Sequence, residues 1–510
     1  MSLFKLQAIV TGAVWIAIVV IGGALLRRLR SIWQTWKYQR DNQCVPPPKF
    51  PQLERILGID MMLDNIRCWQ KNTLLTRHRW RYETAGTTYG CTIAGQDTIF
   101  TIEPDNIKTV FSDRFSDFDA GWLRRRAFAP AIGDVLITAD GPKWHHQRAM
   151  MRPAFNRKQI TDYKFFERDL DALIDRIPKD GSTLDMAPLL YVHALNLASR
   201  LLFDEPLASL NPEFDSSSER FLTAFHGVNR GNELRIRLGR LLPLQPRDRE
   251  YVAALKVVHE YGDHFVRRAL NHQVSQTISA KGEVKGRYVF LREVAKETQD
   301  PTELRNHLLG MLLVGSETTA SLLTSCLSLL SSRQGLWTKM RAEVLGMGDC
   351  NPTYERVKSL TTLNNVINEV LRLYPVLPMF GRTANKDTLL PIGGGPDRKA
   401  RVFVPKNTLV NINTYCLHRR KDIFGPDAED FRPERWASLN SLGYWAYLPF
   451  SGGPRICIGQ QYALTEVSYT LVRLLQSFSG IESRDEQPFI EQIGISLSNA
   501  NGAKLSFIPA

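Results

Sequence analysis

A cysteine loop late in the sequence is the segment whose residue types most clearly indicate chemistry. Residues 450–459 read FSGGPRICIG, with Gly453 and Gly459 on either side of Cys457. Glycine lets a backbone turn tightly or approach a flat ligand closely. The residues after Cys457 predict a helix, so its sulfur would lie at a helix N-terminus, where the dipole and free N–H groups favour a thiolate. We therefore expect one thiolate held against a metal such as iron, with Arg455 as a cation for an anionic group.

Two other interpretations of Cys457 stay open at this point. Free cysteines are commonly buried structural residues. A zinc site would need further Cys or His residues at ligand spacing, and the sequence around Cys457 has none. The seven cysteines of the chain are odd in number and widely scattered, which favours a reducing compartment over a disulfide framework.

A long helix is predicted to begin at Asp300, an N-cap residue followed by proline, and to continue to about Leu330. It is almost wholly apolar apart from small hydroxyl residues and Glu317. Gly315 weakens the helix and Thr318 can bond back to a carbonyl one turn earlier, so we expect a bulge that opens a pocket. A membrane-spanning helix is the alternative, but Glu317 would be costly in the middle of a bilayer.

A second helix carries an acid and a base three residues apart. Glu369 and Arg372 share one face of a strongly periodic, apolar helix. Most such pairs are minor surface bridges. The apolar surroundings favour burial here, and Arg435 is a candidate third partner.

Trp144 and Arg148 lie four residues apart in a predicted helix and hence on one face. The neighbouring His145 and His146 could suggest a metal site. Adjacent residues on a helix point apart, so we do not expect them to bind a metal together.

The N-terminal residues predict a membrane anchor. Residues 6–26 contain no charge, and about 20 apolar residues suffice to cross a bilayer. Arginines follow immediately, which by the positive-inside rule places the bulk of the chain in the cytosol. A cleaved signal peptide is the alternative, but this stretch is too long and ends in arginines. We assign residues 1–26 to the anchor and residues 27–50 to a basic, proline-rich linker whose prolines form a semi-rigid spacer.

Residues 51–510 predict one large domain, because they contain no repeat, low-complexity linker or shift of composition. Helical periodicity dominates, and short strands are predicted at residues 91–94, 97–102 and 401–404. The expected fold is mainly α with small β-sheets. The segment 230–249 is rich in leucine and arginine and predicts either an ordinary helix–loop–helix surface or a contact with a membrane interface.

The net charge of +13 is compatible with nucleic acid, anionic lipid or an acidic protein as partner. No nucleic-acid motif accompanies the charge, and part of it lies beside the predicted anchor. We therefore expect a membrane surface and an acidic redox partner, and no nucleic acid.

The spacing Phe-x-x-Gly-x-Arg-x-Cys-x-Gly in residues 450–459 resembles the cysteine loop of the cytochrome P450 family at all of its defining positions. Three further family motifs occur in the family's order: Trp-x-x-x-Arg at 144–148, a small-Gly-x-acid-Thr-Thr motif at 314–319 and Glu-x-x-Arg at 369–372. Val314 replaces the alanine that is common in this motif. The resemblance spans nearly the whole chain and implies one large haem domain, with haem b as cofactor and Cys457 as the axial ligand of its iron.

The resemblance also implies roles for other residues. The cofactor-binding residues would be Trp144, Arg148, Arg382, Phe450, Arg455, Cys457 and Gly459. Glu317 and Thr318 would be the catalytic acid–alcohol pair that orders water and delivers protons during oxygen activation. Glu369, Arg372 and Arg435 would form a structural charge triad that holds the cysteine-loop side of the fold.

Residues 133–155 and 390–406 resemble the microsomal alkane and fatty-acid hydroxylases of fungi, a subgroup that includes enzymes of secondary metabolism. This implies a monooxygenase in the endoplasmic reticulum membrane, single-pass, with the catalytic domain facing the cytosol. Its substrate would be a hydrophobic small molecule: a fatty acid, an alkane-like lipid, or a secondary metabolite such as a polyketide or terpenoid.

No segment is left for a flavin or nicotinamide domain, so electrons from NADPH are expected through a separate NADPH–cytochrome P450 reductase. Lys143 and Arg152 are candidate contacts for it. Two other activities stay open: a haem-thiolate isomerase or dehydratase that acts without dioxygen, and a non-catalytic haem-binding sensor.

Overall fold

The computed structural model describes residues 30, 32–157, 161–203, 205–206, 216–278, 289–348, 352–439 and 442–510. The predicted membrane anchor at residues 1–26 lies outside these residues. Within them the fold is mainly helical with small sheets, as the sequence predicted.

Helices make up most of the described chain. They are α1 (32–41), α2 (Ile59–Gln70), α3 (Leu74–Ala85), α4 (Pro104–Lys108), α5 (Trp122–Ile132), α6 (Gly141–Met151), α7 (Lys164–Asp175), α8 (Met186–Phe203), α9 (Ser216–Leu238), α10 (Arg249–Ile278), α11 (Phe290–Glu297), α12 (Pro301–Ser331), α13 (Gln334–Leu345), α14 (Tyr354–Ser359), α15 (Thr361–Leu373), α16 (Thr414–Leu417), α17 (Lys421–Phe424) and α18 (Gln460–Ser477).

The strands are short and dispersed along the chain. They are β1 (Cys44–Val45), β2 (Thr88–Ile93), β3 (Gln96–Thr101), β4 (Phe118–Asp119), β5 (Leu184–Asp185), β6 (Met379–Ala384), β7 (Thr388–Gly394), β8 (Ala400–Val404), β9 (Leu409–Asn413), β10 (Phe478–Ser483), β11 (Glu491–Ile493), β12 (Leu497–Asn499) and β13 (Lys504–Pro509). The largest sheet has the order β2-β3-β9-β6-β4, and β11 and β12 form a separate antiparallel hairpin. The three strands predicted from sequence correspond to β2, β3 and β8 within three residues at each end.

Helix α12 runs through the middle of the fold. The Asp300 side chain accepts a hydrogen bond from the Thr302 backbone N–H at 2.9 Å, which confirms the predicted helix start. Buried residues cover its whole length, and it packs most extensively against α8. Both helices are long and apolar enough to cross a membrane, but 67% of the apolar window of each is buried inside the fold. The burial identifies α12 as a central core helix.

Segment 230–249 contains the end of α9, a 3-10 turn over Gly239–Leu244 and the start of α10. This is the helix–loop–helix arrangement that the sequence predicted as one of two possibilities. Leu244 at the end of the turn is 78% exposed.

Candidate functional site

The cysteine loop is fixed by its own backbone and by one obligatory glycine. The Cys457 N–H donates to the Phe450 carbonyl at 3.0 Å, and the Ile456 N–H donates to the Gly453 carbonyl at 3.0 Å. Gly453 has φ +67°, and a Cβ at this position would lie 1.8 Å from the Phe111 carbonyl oxygen. Only glycine fits there, because other residues would be both strained and in collision. The loop therefore holds Cys457 in one place, three residues before α18 begins.

The Cys457 side chain is accessible to solvent, although protein surrounds much of it. Its side chain has accessible surface, yet burial raises the pKa of the Cys457 thiol, against opposing effects of the Gly459 N–H and the Arg148 guanidinium. The two observations agree for a sulfur at the bottom of a deep cleft, where protein surrounds it on most sides. The Gly459 N–H beside α18 lowers the pKa of the thiol, in the direction expected for a helix N-terminus, but the effect of burial is larger. A cation bound to the sulfur would supply the missing stabilisation of the thiolate.

Arginines predicted from distant motifs come together beside this loop. Arg455 donates to Asp140 at 2.5 Å and lies 4.5 Å from the centre of the Trp144 ring. Arg148, one turn after Trp144 on α6, donates to the Ile456 carbonyl within the cysteine loop at 3.0 Å. The Trp144 indole N–H makes no hydrogen bond with any residue described here. Because α6 contacts the loop directly, one face of this helix presents both a free donor and a cation at the cleft.

Arg382 is a third arginine near the cysteine loop, and it is deeply buried. It lies on β6 and is 5% exposed. Its guanidinium donates to the neighbouring Gly381 carbonyl at 3.0 Å and lies 4.7 Å from the centre of the Phe111 ring. Burial holds the pKa of Arg382 well below its usual range, and the nearby Arg124 and Arg455 lower it further. The Nε atoms of Arg382 and Arg455 are buried without a partner among the described residues.

Arg124 on α5 also lies close to Arg382 and Arg455, and it was not identified from the sequence. Its guanidinium lies 3.5 Å from the Gly381 carbonyl, and burial lowers the pKa of Arg124. Arg124 belongs to a run of three arginines in which Arg125 and Arg126 are exposed. A basic run was the available signal, but nothing in the sequence marks which of the three side chains turns inward.

The charge and burial of these arginines indicate whether an anionic group fits beside Cys457. Arg124, Arg148, Arg382 and Arg455 bring four positive charges together, and among the described residues only Arg455 has a direct carboxylate partner, Asp140. Burying unpaired cations is costly. Two carboxylates of a flat ligand held by Cys457 would neutralise the excess and use the orphaned guanidinium nitrogens. The residues present therefore fit a haem with its two propionates.

Glu317 and Thr318 lie together on α12. The Thr318 hydroxyl donates to the Val314 carbonyl at 2.7 Å, as predicted. The helix is nevertheless α-helical from Pro301 to Ser331, without the predicted bulge, because the hydroxyl bond is made alongside the regular backbone bonds. Burial raises the pKa of Glu317, and hydrogen bonds from Ser496 oppose this shift.

The β11–β12 hairpin positions Ser496 against Glu317. The Ser496 hydroxyl and N–H donate to Glu317 Oε1 at 3.1 and 3.3 Å. The hairpin is anchored from both sides: the Ser321 hydroxyl of α12 donates to the Leu497 carbonyl, and the Trp69 indole donates to the Ile493 carbonyl at 2.8 Å. The acid of α12 is thus held by a residue that lies 179 positions later in the chain.

The structure brings Glu369, Arg372 and Arg435 into one buried cluster. The Glu369 carboxylate accepts from Arg372 at 2.8 and 2.9 Å and from Arg435 at 2.9 Å. Trp436 and the Arg432 backbone N–H add bonds at 3.0 and 2.9 Å. Glu369 and Arg372 have no exposed surface. A carboxylate with this many donors is held in one orientation.

The cluster is connected to the cysteine loop through His418. Arg372 donates to the His418 carbonyl at 2.8 Å, and His418 Nε2 accepts from the Leu448 backbone N–H at 2.9 Å. Leu448 lies two residues before Phe450. Burial lowers the pKa of His418 to about 3, so the ring is neutral and can accept this bond.

The remaining sequence candidates lie on the exposed side of α6 or directly after it. His145 and His146 are exposed, and the described part of the chain contains no cluster of three or more His, Cys, Asp or Glu residues able to hold a metal ion. Lys143 and Arg152 are exposed at either end of α6, and Lys143 pairs with Asp134 at 3.5 Å.

Comparisons with a family model and with individual known proteins all point to the same family. The family model for cytochrome P450 matches residues 51–507. The chain is 38% identical to "Cytochrome P450 monooxygenase himC" of Aspergillus japonicus over 96% of its own length and 88% of that protein. It is 35% identical to "Cytochrome P450 monooxygenase fsdH" of Fusarium heterosporum over 98% and 90%. It is 36% identical to "Cytochrome P450 52A12" of Debaryomyces hansenii over 87% and 88%.

Proposed function

The chain belongs to the cytochrome P450 family and is a P450 monooxygenase, and from that premise we propose a membrane-bound enzyme that oxidises a hydrophobic small molecule. The substrate would be an alkane-like lipid or fatty acid, or a secondary metabolite such as a polyketide or terpenoid. The observation that carries the proposal is the cysteine loop with uncompensated guanidinium groups around it. Dioxygen and electrons from NADPH, delivered by a separate reductase, are the co-reactants.

The residues of the cleft have distinct tasks in this proposal. Cys457 would hold the iron of haem b through its thiolate, and the bound haem would supply the chemistry that activates dioxygen. Trp144, Arg148, Arg382 and Arg455, together with Arg124, would bind the two propionates. Phe450 and Gly459 shape the loop. Phe450 does so through its carbonyl bond to the Cys457 N–H, and Gly459 is the N-cap residue of α18, where a Cβ would lie 3.4 Å from the Phe155 ring.

Glu317 and Thr318 hold and move protons. The raised pKa of Glu317 lets its carboxyl carry a proton closer to neutral pH than an exposed glutamate would. The Thr318 hydroxyl donates its hydrogen bond to the Val314 carbonyl. Its oxygen can therefore still accept a hydrogen bond from water. The pair can therefore order a water molecule and protonate it from the acid side.

Membrane attachment involves two parts of the chain in this proposal. Residues 1–26 form a single-pass anchor in the endoplasmic reticulum membrane, residues 27–50 a linker, and residues 51–510 the cytosolic catalytic domain. Leu53 is 98% exposed, Ile56 84% and Leu244 78%. Exposed apolar residues beside the basic 230–249 segment are suited to a lipid interface.

We expect the reconstituted enzyme to incorporate one oxygen atom of isotopically labelled dioxygen into its product, with strict dependence on NADPH and reductase. Mass spectrometry of products from a panel of alkanes, fatty acids, terpenoids and polyketides measures this. Turnover that continues without NADPH would contradict the proposal and indicate an isomerase or dehydratase.

Replacing Thr318 with alanine is expected to leave haem binding intact but to divert a large share of the NADPH electrons to hydrogen peroxide. The hydroxyl that orders water is lost, and general acid–base assistance of this kind contributes about 10²–10⁴-fold. Product and peroxide formed per NADPH consumed are the measurement. Thr324→Ala on the same helix, which removes an equivalent back-bond to the Ala320 carbonyl, is the matched control. Equal coupling in both variants would assign Thr318 a purely structural role.

A further inference from the structure

A second carboxyl group lies close to Glu317, beside the turn of the β11–β12 hairpin. It belongs to Glu233 of α9, which is 8% exposed. A Cβ placed on Gly494 would lie 2.8 Å from Glu233 Oε1 and 3.2 Å from Glu317 Oε1. The two carboxylate oxygens can be no farther apart than the sum of these distances. Both oxygens would crowd such a Cβ, so a glycine at this position lets the two acids lie close together against the hairpin.

Asn229 joins the same group from one helical turn earlier on α9. Its side-chain amide donates to Glu317 Oε2 at 3.4 Å, and it is 6% exposed. Asn229 and Glu233 are four residues apart and therefore share a helix face. That face is directed at the acid of α12, next to the residue that would order water during oxygen activation.

Glu233 and Asn229 have acceptor oxygens that receive no hydrogen bond from the described residues. Asn229 Oδ1 is buried without a partner among the described residues. The Glu233 carboxylate accepts no hydrogen bond from any described residue: Arg237 is 3.9 Å away and instead donates to the Glu233 backbone carbonyl at 3.2 Å. Buried acceptors without donors are costly. Burial raises the pKa of Glu233 to about 8, with Arg237 opposing the shift and Glu317 adding to it.

We propose that Glu233 and Asn229 form a polar subsite that binds an O–H or N–H donor of the substrate. This inference rests on the proposed function, because it places the subsite in the substrate pocket of a monooxygenase. Glu233 and Asn229 present two acceptors on one helix face, and no described residue donates to either of them. The substrate class narrows accordingly to amphiphilic molecules that have an apolar body and at least one hydroxyl, amide or amine group. A plain alkane would leave both acceptors unpaired.

Two probes that differ in their donor test the subsite. Dodecanamide has two N–H donors and N,N-dimethyldodecanamide has none. Each is titrated into the full-length, haem-loaded protein, and the dissociation constant is read from the change in the haem absorption spectrum. We expect the wild type to bind the primary amide about tenfold more tightly, the value of one net hydrogen bond. Glu233→Leu should reduce the preference to about twofold or less, and Glu233→Gln, which keeps one acceptor oxygen, should retain part of it.

Glu219→Leu is the matched control, since Glu219 is an exposed acid on the same helix, and it should bind both probes as the wild type does. Equal affinity of the wild type for the two amides would overturn the proposal and assign water as the donor. A preference that survives in Glu233→Leu would also overturn it. The reduced carbon monoxide spectrum is recorded for every variant: an intact spectrum with no amide preference refutes the subsite alone, whereas loss of that spectrum in the wild type refutes the proposed function.

Discussion

Cys457→Ser is expected to eliminate the long-wavelength band of the reduced carbon monoxide complex and all NADPH-dependent product. A serine hydroxyl is not deprotonated at neutral pH, so the site loses the thiolate that the loop is built to present. The loop itself should survive, because its bonds are made by the backbone: the residue 457 N–H still reaches the Phe450 carbonyl, and Gly453 still meets Phe111. The band is measured by difference spectroscopy on the purified protein, alongside its circular dichroism.

A second cysteine provides the control. Cys68 on α2 is half-buried and contacts Asp64 at 3.8 Å. Cys68→Ser should retain both the spectral band and turnover. A Cys457→Ser protein that kept the band would contradict the assignment of Cys457 as the iron ligand.

Glu369→Gln is expected to destabilise the folded protein by about 3–5 kcal/mol, the usual cost of removing one partner of a buried ion pair. The carboxylate accepts from two guanidinium groups, an indole and a backbone N–H, and an amide offers one acceptor oxygen and an unwanted donor. Arg372 and Arg435 would stay buried with their main counter-charge gone. Urea unfolding followed by circular dichroism gives the free energy of unfolding.

Glu293→Gln is a closely matched control. Glu293 pairs with Lys296 at the same three-residue spacing and the same 2.8 Å distance, but both side chains are exposed. Its removal should cost about 0.5 kcal/mol or less. Equal losses in the two variants would mean that burial adds nothing to the Glu369 cluster.

Much of the site could be predicted because its residues occur in short motifs. Local chemistry also sufficed for the Asp300 cap and the Thr318 back-bond, since both involve partners within four residues. The bulge predicted on α12 was wrong, because Gly315 is supported by packing against Ala198 of α8 and the helix stays regular.

The residues that the sequence did not reveal depend on long-range packing. Glu233 lies in a segment that reads as basic and amphipathic, and its neighbour Asn232 is fully buried through a bond with Tyr251 of α10 at 2.7 Å. Arg124 turns inward only because β6 brings Gly381 alongside α5. No local pattern encodes either contact, since the partners are 19 and 257 positions away.

The β11–β12 hairpin has a consequence for how the protein is made on the ribosome. The Trp69 indole bonds the Ile493 carbonyl, and the Leu75 N–H at the start of α3 bonds the Glu491 carboxylate, across 424 and 416 positions. Contacts of such sequence separation form late, because the intervening chain must first be ordered. The wall that holds Glu317 can therefore close only after β11 and β12 have themselves been synthesised. Until then the first turn of α3 lacks the Glu491 carboxylate, and the apolar residues beside it are exposed to other chains.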